Sequence, residues 1–133
     1  MKKVVIDTNA ILRFILKDVP SQSKKVADLI KKAKGSKLLI IVPEVVVFEV
    51  YHSLRTYYNF SKEELIEVLE SLLSAHYFQV ENKFNFIECL KDYKLFNLSF
   101  ADSFILAKVI YQDLELFTFD KKLEKCAASL RVN

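Results

Sequence analysis

Short apolar runs alternate along the chain with longer stretches in which apolar residues recur every three or four positions. Val4-Val5-Ile6, Leu38 to Val42, Tyr77 to Val80 and Leu116 to Phe119 are the short, β-rich runs and predict four strands. Between them, helical periodicity predicts helices over Ala10 to Leu16, from Ser21 to a stop at Gly35, and over Phe84 to Lys94, Phe100 to Tyr111 and Lys121 to Leu130. Ser61 and Glu64 have the spacing of a capping box, which starts a helix carrying Leu65, Ile66, Val68, Leu69, Leu72 and Leu73. Glu44 to Tyr58 is ambiguous, because Val45-Val46-Val47 favours a strand. Its length and the preceding Pro43 decide for a helix. Strands alternating with helices predict an α/β fold with a mostly parallel sheet covered on both faces.

Composition narrows this picture. The chain has 133 residues, which suits one domain over 1–133, and about half of them are apolar. One glycine and two prolines exclude long flexible tracts. A net charge of +3 is too small to imply a nucleic-acid partner by itself. The five lysines Lys24, Lys25, Lys31, Lys32 and Lys34 read first as the solvated side of a helix. Cys89 and Cys126 lie apart in apolar helical patterns, as buried free thiols do, and form no metal or redox motif. Lys2 and Lys3 precede an apolar run, but Asp7, Asn9 and Arg13 interrupt it, so neither a signal peptide nor a membrane span is expected. The expected location is the cytoplasm.

Four acids carry the candidate chemistry. Asp7 and Asp120 follow predicted strands, and in open parallel sheets ligands bind beyond the carboxyl ends of the strands. Glu49 and Asp102 fall within predicted helices, among Val45 to Tyr51 and Phe100 to Leu106. A carboxylate buried in such company is costly unless it is paired or binds a cation, and the nearest Lys or Arg to Glu49, Arg55, is six residues away. Each acid also has a structural reading. Asp7 and Asp120 can cap helices, Ser99 and Asp102 fit a capping pattern, and Glu49 can point to solvent. Were the four to share a pocket, each pair would repel by about 3 kcal/mol at 5 Å and an effective dielectric near 20. A hard cation such as Mg²⁺ or Mn²⁺, bound by oxygen ligands, offsets that repulsion and can activate water against a phosphodiester.

With Val-Val-Ile-Asp7-Thr8-Asn9, Val-Phe-Glu49-Val, Leu-Ser-Phe-Ala-Asp102-Ser and Phe-Thr118-Phe-Asp120-Lys in that order, the chain resembles PIN-domain nucleases. It is most similar to the VapC-like toxins of bacterial and archaeal toxin–antitoxin pairs. The resemblance covers nearly the whole chain. It implies a three-layer α/β/α fold with a central sheet of four to five strands, and one metal site lined by Asp7, Glu49, Asp102 and Asp120. It also implies an RNA substrate, a homodimer and a small antitoxin partner. Thr118 matches a position that supports the site by hydrogen bonds, and Thr8 and Asn9 match residues that shape the turn after the first acid. The family's further strand after the last helix is reduced here to Leu130-Arg131-Val132-Asn133, so a fifth strand is expected to be very short or absent.

Arg13, Tyr51, Arg55 and Lys121 lie nearest the proposed acids in sequence and are the candidate RNA contacts. Glu49 and His52 form one E-x-x-H, but the second copy that a di-iron centre needs is missing. Asp7-Thr8-Asn9 lacks the second acid of a D-x-D phosphatase, and the single glycine excludes a Gly-rich phosphate loop. Two alternatives stand beside a metal-dependent endoribonuclease. One is a non-catalytic partner- or RNA-binding module, and the other is a DNA-directed nuclease with the same metal site.

Overall fold

The structure, a computed structural model, describes residues 1–131. These form two compact units, residues 1–81 and the segment from Asn82 onward.

The first unit holds β1 (Lys2–Val5), α1 (Thr8–Leu16), α2 (Pro20–Lys34), β2 (Leu38–Val42), α3 (Glu44–Tyr57), α4 (Lys62–Ser74) and β3 (Phe78–Val80). The strands lie parallel in the order β1-β2-β3, with Val4 opposite Ile40 and Ile40 opposite Phe78. Central β2 buries Leu38, Ile40 and Val42 and half-covers Leu39 and Ile41, as a strand between two neighbours should. Each helix puts one apolar stripe inward. In α3 that stripe is Val46, Val47, Val50 and Leu54, all buried, and burying each is worth roughly 1.5–3 kcal/mol.

The second unit holds α5 (Lys83–Leu95), α6 (Phe100–Tyr111) and α7 (Lys121–Arg131). Phe86 of α5 stacks on Phe100 at 6.3 Å between ring centroids, and Tyr93 meets the same ring edge-on. Leu106 of α6 packs with Leu98 and with Leu123, Cys126 and Ala127 of α7.

The strand–helix order predicted from hydrophobic periodicity holds, with three corrections. Leu116 to Phe119 is no strand: the described residues form a three-stranded sheet, where four to five strands were expected. Its side chains still alternate, with Leu116 packed against the α6–α7 core and Phe117 and Phe119 in solvent. The Thr118 hydroxyl accepts from the Asp120 N–H, which turns the backbone into α7 rather than along a ladder. Secondly, α2 begins at Pro20 and not after a Ser21 cap, because proline is preorganised for the first helical position. Finally, the residue that ends α2 in the left-handed conformation is Ser36 (φ 61°), one beyond Gly35. Of the expected short last strand, Leu130 and Arg131 belong to α7, and the remaining two residues lie outside the described ones.

Candidate functional site

The carboxyl end of β1 leads within two residues into Asp7, which sits at the N-cap of α1 with extended backbone (φ −95°, ψ 175°). Its Oδ1 accepts from the Ala10 N–H at 2.9 Å, so Asp7 is a working cap and an exposed carboxylate at once. The next residue, Thr8, reaches across to α3, where its hydroxyl donates to Glu49 Oε1 at 2.9 Å. Asp7 and Glu49 are thereby brought to one end of the first unit through a single intervening residue. Thr8 is thus the residue that orients Glu49. Asn9 is exposed on the first turn of α1.

Glu49 is exposed, which corrects the expectation that its apolar sequence neighbours bury it. The helical period rotates Val46, Val47 and Val50 onto the inner stripe and leaves Glu49 just outside it. No burial penalty demands a cation there.

In the second unit, Asp102 lies in the first turn of α6 and is half-buried. Ser99 Oγ accepts from the Asp102 N–H at 3.1 Å, which is one half of a capping box. The reciprocal carboxylate bond, present in the Ser61–Glu64 box of α4, does not accompany it among the described residues. Asp120 caps α7, its Oδ1 accepting from the Lys122 and Leu123 N–H groups at 2.9 and 3.1 Å. It ends no strand, contrary to expectation, and Thr118 holds its backbone as described.

The basic and aromatic candidates differ in availability. Arg13 is largely covered, its Nη1 pairing with Asp18 at 3.1 Å and its Nη2 pointing at the Tyr58 hydroxyl at 3.5 Å. Arg55 and Lys121 are exposed, and Tyr51 is half-buried. His52 meets the Tyr57 ring edge-on, as a surface packing residue does. Glu81, which sequence reasoning passed over, follows β3, and its Oε1 accepts from the Glu44 N–H at 3.1 Å. It caps α3 from a distant segment, because Pro43 at that N-cap position has no side-chain oxygen to offer. The only local signal of this was the missing cap.

Residues 4–128 match the PIN domain family. The chain belongs to the PIN-domain family. Membership places it in a superfamily of metal-dependent nucleases, and the α/β elements with their parallel sheet agree. No curated protein matches this PIN domain closely enough to be named as a relative. The donor chemistry of Asp7 and Glu49, carboxylate oxygens and nothing softer, suits a hard divalent cation. Among the described residues, however, no group of three or more His, Cys, Asp or Glu side chains is close enough to hold a metal ion. No helix among the described residues is long and apolar enough to cross a membrane.

Proposed function

We propose that this PIN domain is a Mg²⁺- or Mn²⁺-dependent endoribonuclease and the toxin of a VapBC-like pair, working in the cytoplasm as a homodimer held in check by a small antitoxin. The reading treats the chain as one domain and assigns Asp7, Glu49, Asp102 and Asp120 as metal ligands. The observation that supports it most is the Asp7–Thr8–Glu49 arrangement within a PIN match that spans nearly the whole chain. A bound divalent ion would orient and acidify a water and offset charge on the phosphodiester. The protein's own share is orientation. The Ala10 N–H holds one Asp7 oxygen, and the Thr8 hydroxyl holds one Glu49 oxygen. The positive end of α1 favours anions at the same place.

Purified protein incubated with labelled RNA and with DNA of the same sequence, in Mg²⁺, Mn²⁺ or EDTA, tests the reading. RNA cleavage with metal and none in EDTA is expected. Asp7→Asn should abolish cleavage yet leave stability within about 0.5 kcal/mol, because the amide oxygen still caps α1, whereas Asp7→Ala should cost about 1 kcal/mol as well. Cleavage that persists in EDTA and survives Asp7→Asn would sink the metal mechanism, and preference for DNA would move it to the other substrate. For the toxin role, growth arrest on expression should be relieved by a short neighbouring reading frame.

A further inference from the structure

Outside the acids, the charge of the molecule is distributed very unevenly. Residues 24–37 carry six lysines and one aspartate, a net +5 against +3 for the whole chain, so all other residues together sum to −2. Every one of these lysines is exposed. Two of the charges are occupied: Lys24 pairs with Asp28 at 3.3 Å, and Lys34 lies over the Tyr77 ring at 5.3 Å. Lys31, Lys32 and Lys37 have no acid within ion-pair distance among the described residues. These three, with Asp28 and Gly35, line one open depression of about 510 Å³.

The helix does not need this cluster. Three of its last four carbonyls are already met by backbone, since the Gly35, Ser36 and Lys37 N–H groups donate to Lys31, Ala33 and Lys32. One or two cations near a helix C-terminus improve its dipole, but further ones mainly repel each other. A concentration of unpaired positive charge around a concave surface, on a chain otherwise slightly acidic, has the chemistry of a polyanion contact.

We propose that Lys31, Lys32 and Lys37, at the C-terminal end of α2, form a second contact surface that grips the phosphate backbone of the RNA substrate. The proposal rests on the nucleic-acid reading above but not on the metal site. The contact is to phosphates, so it positions the strand without selecting bases, and it adds to the salt dependence of binding. Lysine suits this role, because a mobile point charge accepts a phosphate from many directions.

The test is binding without cleavage. Fluorescently labelled single-stranded RNA is titrated in EDTA with the full-length Asp7→Asn protein, at several salt concentrations. The same protein carrying Lys31→Glu, Lys32→Glu and Lys37→Glu should bind at least tenfold more weakly. Its slope of log affinity against log salt should be shallower by about 2, which is three phosphate contacts at about 0.7 each. A control with the same change in charge elsewhere, Lys83→Glu, Lys108→Glu and Lys125→Glu, should lose clearly less. Equal losses in the two triple variants would overturn the proposal, as would an unchanged slope or no RNA binding by the parent. Should the Glu variant fail to fold, the Lys→Gln triple carries the same slope criterion. A protein that binds through this surface yet cleaves no RNA in Mn²⁺ would disprove the nuclease reading and leave the surface standing.

Discussion

Asp92 shows how one side chain ties this fold to pH. It sits on α5, half-buried, and its carboxyl is raised to about 6, first by burial and then by the charge of Glu88 one turn earlier, with Lys91 opposing. Lys91 is itself paired with Glu88 at 2.9 Å, so it relieves Asp92 only in part. A carboxyl whose folded pKa lies above its unfolded value favours the folded state when protonated. That contribution is complete below about pH 4 and disappears as the pH rises through about 6. Asp92→Asn should therefore raise stability at pH 7 by about 1 kcal/mol, a figure reduced for solvent screening of a half-exposed group, and change little at pH 4. Urea denaturation of both proteins across pH 4–7 measures the difference, and a gain that is constant with pH would refute the assignment. Nearby Cys89 is buried, donates to the Phe100 carbonyl at 3.6 Å, and has its thiol pushed well up by burial and by Asp92, so it is inert as a nucleophile.

At the scale of elements, the ends of the helices are where local chemistry is clearest. Asp7, Ser61, Ser99 and Asp120 each satisfy backbone donors at the start of the helix they precede, as their residue types and spacing foretold. The end of α2 differs. There the chain closes with Ser36 in the left-handed region, while Gly35 has φ −81° and room for a methyl group, a Cβ meeting only carbonyl oxygens at 3.6 and 3.7 Å. The glycine stands one position short of where its freedom would be used. Ser36→Gly should stabilise the protein by about 0.5–1 kcal/mol, read from the urea midpoint at unchanged slope. Destabilisation would show that the serine side chain contributes more than the strained backbone costs. Within the elements, the ambiguous Glu44 to Tyr58 segment resolves as helix because its apolar residues, though β-branched, form a continuous buried stripe.

For the molecule as a whole, a divalent ion held by the four acids as proposed above would be linked to folding. A ligand that binds only the folded chain raises its stability by about 2.7 kcal/mol at a hundredfold excess over Kd. Mn²⁺ should accordingly raise Tm in a saturable way, and Glu49→Gln should abolish the rise without requiring any substrate. A Tm indifferent to Mn²⁺ in the unmodified protein would contradict the metal assignment separately from any assay of cleavage.

Hydrophobic period and caps act over three or four residues, so the order of strands and helices, the parallel class of the sheet and three of the four acid positions at helix starts followed from the chain alone. The PIN-like sequence of acids was legible for the same reason, since each motif is local. Tertiary structure decided whatever depends on a partner far along the chain. Leu116 to Phe119 had strand periodicity but found no ladder, and Glu49 was rotated to the surface by the side on which α3 packs. Glu81 supplied the cap that Pro43 lacks, and Arg13 was claimed by Asp18 and Tyr58. Strand pairing, helix rotation and capping by remote residues are free-energy differences between whole folds, and no window of neighbouring residues contains them.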